Sequence, residues 1–534
     1  MVTSGPPTSY QPDPEDNLGP QTLTPWEGTH VALLTEPPPG GGAYDPAVIT
    51  RILNALDGAY EVYAQFTGAT PSPFVTYDGK LSIAVLPDNS QYNFAAHGYL
   101  GLTGIEIQQA YFDAMYNDAQ NNQYDQALFY ELGRNFWFFK PELGDDPFAT
   151  GFAIAGRFIS MDVAGLAGGP FNGAPFNTFK GETLDALNAA FFSNPAYTLA
   201  DTLEANVVPA NTSNSSVADF AGSLLYRVYD DFGLNGYTAF YHALKNQPVA
   251  NTPADAVANF IHAASQATGV DYGFLDKPAG VAYLVGTAGD DRLVATTGGP
   301  ILAYDGDDTV QGSPGADSIF GGGGGDLLHG GGGADLVIGG AGADSLDDAG
   351  AGPDTLFGGD GADSISGGPG FNQVNGNKGD DTIVGHSRSG DWLSGGQGDD
   401  IIDASGSTGH NILNGNLGND TITGDDSGDT LRGGQGDDTI HGGAGADAIH
   451  GDLGNNTLAG GGGADSFYAG AGAARDVITD FHQSEGDRVL VGAGLTYTTA
   501  QVNGDVEVDV SNGDVIVLQN TQLQALSAGW IVSA

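Results

Sequence analysis

Through much of the second half of this chain an aspartate recurs at nine-residue intervals. Asp308, Asp317, Asp326, Asp335 and Asp344 are evenly spaced, and the series resumes at Asp354, Asp363, Asp381, Asp391, Asp400, Asp420, Asp429, Asp438, Asp447 and Asp465. Asp291 stands ahead of them, and Asn372, Asn411 and Asn456 fall near the missing places. Glycines precede each aspartate, as in GGGGGDLL (321–328) and GGQGDDTI (433–440). A short carboxylate closing a glycine-rich loop suits a hard cation, which takes about six to eight oxygens at ~2.3–2.6 Å. After Val285 the acids are 35 Asp against 2 Glu, Glu485 and Glu507. A generic solvated surface would mix the two carboxylates, so the bias says that side-chain reach matters.

The whole chain of 534 residues carries 66 acidic and 15 basic side chains, a formal charge of −51, and both halves are acidic. Nucleic acid and anionic membrane surfaces are therefore poor partners, and cations are good ones. With no cysteine, neither disulfides nor thiolate metal sites are available. No apolar run approaches the ~20 residues of a membrane span. Residues 1–23 are rich in proline and polar groups, lack the basic and apolar regions of a signal peptide, and read as a disordered tail.

The elements that must position the aspartates follow from the same period. Two residues after each comes an apolar side chain, as at Ile319, Leu328, Val337, Leu346, Leu356 and Ile365. One buried position in nine residues implies one short strand and one tight turn per repeat. An isolated repeat cannot bury its single apolar side chain, so stability must come from stacked neighbours. A disordered glycine-rich linker would not hold this register.

GGQGDDTIH (433–441) and GGAGADAIH (442–450) fit the pattern G-G-x-G-x-D-x-U-x, and residues 286–481 resemble the repeats of RTX, or hemolysin-type, calcium-binding proteins. The resemblance implies a parallel β-roll. It also implies that Ca²⁺ is held between turns by Asp291 and the aspartates of the series, together with flanking glycine carbonyls. At the three asparagines it implies weaker or empty sites. DVITDFHQSEGDRVLV (476–491) resembles the element that ends many such arrays, with Asp480 and Asp487 in matching positions. Residues 482–534 then read as the cap of the roll and a C-terminal signal for type I secretion machinery. This implies export from a Gram-negative bacterium to the exterior, with folding on calcium after export.

Residues 24–280 have ordinary globular composition. Strands are expected at 30–36, 80–87 and 98–107, and helices at 124–139, 150–165, 181–193, 216–232, 236–245 and 253–267, an α+β order. Within DQALFYELGRNFWFF (125–139), the stretch from Tyr130 to Phe136 resembles the H-E-L-G-H-N-F segment of gluzincin zinc metallopeptidases. In that motif two histidines one helical turn apart bind zinc and the glutamate activates water. Here Tyr130 and Arg134 replace both histidines and only Glu131 remains. A guanidinium stays protonated and cannot ligate, so zinc is not expected and no residue is assigned as catalytic. Glu131 pairing with Arg134 at i,i+3 is the plainest reading.

The combined reading is multidomain: an α+β metallopeptidase-like domain without catalysis, followed by an all-β parallel β-roll. It describes a secreted calcium-binding protein, whose further partners are surface or matrix polysaccharide, or itself. The alternatives are an active secreted zinc-dependent peptidase or other hydrolase, and a self-assembling surface-layer or biofilm matrix protein.

Overall fold

The structure is a computed structural model. It describes residues 4–5, 7–10, 21–38, 42–72, 76–88, 96–98, 104–124, 126–143, 147–166, 168, 180, 184–204, 208–209, 216–277, 281–469 and 474–533. The chain divides into two compact units, Met1–Ala282 and Tyr283–Ala534.

The first unit is a mixed sheet with eight α-helices among its described residues. Its strands are β1 (Thr8–Tyr10), β2 (Gln21–Glu27), β3 (Val31–Thr35), β4 (Thr76–Tyr77), β5 (Lys80–Leu86), β6 (Ala96–Gly98) and β7 (Ile105–Gln108). The order is β1-β2-β3-β5-β7-β6, with β4 on β5. β3, β5 and β7 run parallel at the centre. All five residues of β3 and six of seven in β5 are buried, the continuous apolar run expected of a strand covered on both faces. α1 (Pro46–Thr67) starts with Asp45 capping Ala47 N–H and proline at its first position, and it stops at Gly68. Its buried Asp57 carboxylate accepts N–H groups from Thr29, His30 and Val31 at 2.6, 2.8 and 2.9 Å. That pins the turn between β2 and β3 to the helix.

The remaining helices are α2 (Gln109–Gln120), α3 (Gln126–Asn135), α4 (Lys140–Leu143), α5 (Phe148–Val163), α6 (Ala186–Ser193), α7 (Val217–Leu244) and α8 (Pro253–Thr268). Capping boxes, Ser216 with Asp219 and Thr252 with Asp255, open α7 and α8. The sequence reads α7 as two helices, and the structure joins them across a kink at Gly233, whose φ of 60° and ψ of −167° suit glycine.

Two expectations are corrected. Residues 1–23 are not simply a tail, because β1 pairs antiparallel with β2 and Tyr10 donates its hydroxyl to Glu106 at 2.8 Å. Proline and polar residues disguised strands whose few apolar side chains, Tyr10, Leu23 and Trp26, are buried. The strand expected over 98–107 is shorter, Ile105–Gln108, and the edge is the preceding Ala96–Gly98. Residues 99–103 lie outside the described residues.

The second unit is a parallel β-roll. Successive strands alternate between a 13-stranded and a 14-stranded sheet. Each pairs in register with the next strand of its own sheet, as in Ile319 with Val337 and Leu328 with Leu346. Each repeat thus supplies one strand, and two repeats make one turn. The inward aliphatics form one continuous cluster running from Leu293 to Leu518 and Trp530. Each contributes ~1.5–3 kcal/mol on burial, a small return for nine glycine-rich residues of ordered chain. The packing of side chains alone does not explain this unit.

The last segment closes the far end. Ile531–Ser533 lies parallel on Arg488–Val491, and Val515–Leu518 lies parallel on Arg475–Ile478. Tyr497–Val502 and Asp505–Val510 then continue antiparallel from Val515–Leu518. These strands extend both sheets, so Ile531–Ser533 and Tyr497–Val502 are the last strands at that end.

Candidate metal centre

The recurrent aspartates form two columns, one along each turn-bearing edge of the roll. In each, the backbone N–H of one member donates to the Oδ1 of the member one full turn later. The first column runs Asp291, Asp308, Asp326, Asp344, Asp363, Asp381, Asp400, Asp420, Asp438, Asn456 and Asp476. The second runs Asp317, Asp335, Asp354, Asn372, Asp391, Asn411, Asp429, Asp447, Asp465 and Asp487. Every link is between 2.7 and 3.2 Å. One carboxylate oxygen is therefore structural, and asparagine supplies it equally well.

The second oxygen distinguishes the two residue types. Oδ2 of Asp308, Asp326, Asp344, Asp363, Asp381, Asp400, Asp420 and Asp438 is buried with no hydrogen-bond partner. The same holds for Asp335, Asp354, Asp391, Asp447 and Asp465 in the other column. Each of these side chains is almost wholly excluded from solvent. Oδ2 of Asp326 faces Gly321, where a Cβ would run into that oxygen and into the Gly339 carbonyl. Gly358 stands in the same relation to Asp363 and the Gly376 carbonyl, and Gly433 to Asp438 and the Gly451 carbonyl. Glycine is required there for space.

Asn372 shows what surrounds that position. Its Nδ2, in the place of an Oδ2, donates to the carbonyls of Gly368 and Gly370, both at 3.2 Å. An amide satisfies carbonyl oxygens, whereas a carboxylate confronts them. Burial, with neighbouring aspartates adding to it, raises the pKa of Asp344 and Asp381 to about 8, and that of Asp308, Asp326, Asp400, Asp438 and Asp447 to about 7. Hydrogen bonds from the ladder N–H groups offset only part of this. An all-oxygen set of buried carboxylates and glycine carbonyls fits a hard cation such as Ca²⁺, and lacks the nitrogen and sulfur donors of a zinc site.

The sequence-derived positions divide on this test. Asp291, Asp317 and Asp429 hold ladder places, but their Oδ2 atoms accept from Thr287, Ser313 and Asp425 N–H groups at 2.6, 2.7 and 2.8 Å. They have less left to offer an ion. Asp487, read from the sequence as part of the closing element, joins the end of the second column. Asp480 instead accepts from Gly460 and Gly461 N–H at 3.0 and 2.8 Å, and Asp476 takes the ladder place. Asp476 and Asp348 were missed. A 20-residue step from Asn456 would have found the first, and the second interrupts a glycine position.

In the first unit, α3 carries Tyr130, Glu131 and Arg134. Arg134 Nε lies 3.6 Å from Glu131 Oε2, with Glu131 buried and Arg134 partly exposed. The guanidinium of buried Arg157 lies 5.9 Å from the Tyr130 ring centroid. Burial raises the Tyr130 hydroxyl pKa, which Arg134 partly offsets. Two cations, Arg134 and Arg157, thus lie beside Tyr130.

Comparison with known proteins finds the RTX calcium-binding nonapeptide repeat (4 copies) over residues 302–337, 320–347, 348–374, 357–387, 388–406, 405–440, 423–458 and 441–473. No curated protein matches the chain. Among solved structures, a functionally unknown conserved protein mutant from Bacillus anthracis str. Ames is 12% identical over 48% of each chain, with a TM-score of 0.32. The extracellular lipase LipA from Serratia marcescens is 21% identical over 43% of this chain and 40% of its own, with a TM-score of 0.16. The chain therefore spans less than half the length of either structure. Its second unit is an RTX β-roll of calcium-binding repeats.

If Glu131 serves Arg134 rather than catalysis, Glu131→Gln should destabilise the first unit by ~1–3 kcal/mol, the cost of leaving a partly buried charge poorly paired. Chemical denaturation followed by the fluorescence of Trp26 and Trp137 would read this. Unchanged stability together with loss of a peptidase activity would contradict it.

Proposed function

We propose that this protein is secreted and that its repeats order on Ca²⁺ outside the cell, displaying a first unit that binds rather than cleaves. The observation that carries this reading is the row of buried, unpartnered Oδ2 oxygens set among glycine carbonyls. Asp326, Asp344, Asp363, Asp381, Asp400, Asp420 and Asp438 would hold ions along one edge, with Asp308 at its start. Asp335, Asp354, Asp391, Asp447 and Asp465 would do so along the other. Bound calcium supplies the positive charge that lets these oxygens stay ionised and close together.

The rest is control by concentration. At the low free calcium of cytosol, adjacent charged rungs repel and the array stays extended enough to be exported. Ions that bind only the folded roll then pull folding forward by mass action. Extracellular calcium modules work at ~10⁻⁴ to 10⁻³ M, which suits this switch. The pairing of Glu131 with Arg134 supports a non-catalytic first unit with a peptidase-like helix. Polysaccharide or a second copy of the chain remain the proposed partners of an acidic, ion-bearing surface.

The chelated protein should gain β signal cooperatively in far-ultraviolet circular dichroism as calcium approaches ~10⁻³ M, and magnesium should substitute poorly because it keeps its waters. Replacing Asp326 and Asp344, adjacent rungs of one column, with alanine should move the midpoint upward severalfold. An unchanged signal from chelator to saturating calcium would contradict the reading. Export is tested separately: deletion of residues 482–534 should retain the protein inside cells that otherwise secrete it, and normal secretion of the truncation would refute a C-terminal signal.

A further inference from the structure

One turn of the roll breaks the repeat in a way that adds charge where the others have none. His329, Asp347, Ser366 and Val384 are aligned by strand pairing, so the residues that follow them, Gly330, Asp348, Gly367 and Gly385, occupy equivalent places. Three are glycine and one is aspartate. The step between the flanking ladder members Asp335 and Asp354 is 19 residues, and the additional residue is accommodated within DDAGAGPD (347–354).

Asp348 does not turn its side chain outward. It is 0% exposed, and Asp335 and Asp354 are 3% and 2% exposed. Its Oδ1 accepts the Gly350 N–H at 2.9 Å, and its backbone N–H donates to Ser366 O at 3.0 Å, so the residue is held from both sides. Its Oδ2 is without a hydrogen-bond partner, as are the Oδ2 atoms of Asp335 and Asp354. Ligand oxygens of all three lie within 4.8 Å of one another, and a Cβ on Gly330 would meet both Asp348 Oδ2 and Asp335 Oδ2. Three buried carboxylates with unpartnered oxygens converge on one point.

We propose that Asp335, Asp348 and Asp354 form a cation site of a different class from the regular turns, one that binds calcium more tightly and fills first. This rests on the reading of the repeats as calcium sites. Affinity in oxygen-ligand calcium sites rises with the number of charged ligands and with rigidity. Here a third carboxylate stands where the neighbouring turns, at Gly330 and Gly367, have only a glycine hydrogen, and its own backbone is tied into the sheet. Elsewhere in this column the irregular turns have lost capacity: Asn372 and Asn411 carry amides, and Asp317 and Asp429 engage both oxygens. The turn at Asp348 is the one that has gained it, so the first ion taken up would order the roll from this point.

The test is a calcium titration of the full-length chain, freed of metal and competed against a chromophoric chelator. Wild type should be compared with Asp348→Gly, which restores the residue of the neighbouring turns, and Asp348→Asn, which keeps the Oδ1 bond to Gly350 but removes the charge. Wild type should show about one equivalent bound at least tenfold more tightly than the rest. Both variants should lose that class while still taking up the remaining calcium, and their folding should move severalfold to higher calcium. A tight class that survives in both variants, or a wild type with a single class, would overturn the proposal. Absence of calcium uptake by all three proteins would instead overturn the repeat reading, and this proposal with it.

Discussion

Buried oxygens facing other oxygens are the constraint on which the second unit depends. The ladder fixes one oxygen of every aspartate to a backbone N–H, and this sets the other against the glycine carbonyls of the turn. A protein interior leaves few such groups unpaired, because desolvation without a partner is costly. Between neighbouring carboxylates, unit charges ~5 Å apart at an effective dielectric of ~20 repel by about 3 kcal/mol. Among the described residues no lysine or arginine forms an ion pair with a ladder carboxylate. Either a cation or a proton must cancel this repetition of like charge, and the thin single-file core, one aliphatic side chain per repeat, cannot compensate.

The first unit rests on different physics. Its centre is an aromatic cluster in which Phe66, Phe139 and Phe152 pack on Tyr241, with ring centroids 4.6 to 5.7 Å apart. Its buried charges are partnered, as where Asp57 collects three N–H groups and where Asp231 meets Arg227 at 3.2 Å and the Tyr272 hydroxyl at 2.7 Å. Such a unit is held by packing and paired charges. Joined in one chain are a unit held by packing and an array of buried, like-charged carboxylates, and on the proposed reading calcium acts on the second.

Much of the roll was legible because its period is rigid: the same residue that fixes the strand register also fixes the carboxylate, so Ile319, Leu328 and Val337 announce the sheets and Asp317, Asp326 and Asp335 the columns. What the period could not show is how each carboxylate divides its two oxygens. Thr287 and Ser313 disarm Asp291 and Asp317 through local turns that no repeat pattern encodes, and Asp348 reads as a mere interruption until the strands are aligned. In the first unit most of the helices and the strands β3 and β5 followed from apolar spacing, whereas α2 was not anticipated. The pairing of β1 with β2 did not follow either, since it depends on Tyr10 reaching Glu106, 96 residues away.

Protons should substitute for calcium if ionised oxygens are the obstacle to folding. Burial raises several ladder carboxyls to pKa values of about 6 to 8 in the roll, as at Asp363, Asp326 and Asp344, against 3.8 for the ordinary group. The folded state therefore binds more protons than the unfolded one between those values, and the stability of the calcium-free roll must fall as pH rises through this range. The decisive measurement is far-ultraviolet circular dichroism of the full chain in excess chelator as a function of pH. The β signal of the roll should be present near about pH 5 and lost by about pH 8, where calcium restores it. A calcium-free signal that is equally strong at both pH values, or that grows toward pH 8, would contradict the dependence of the fold on these oxygens.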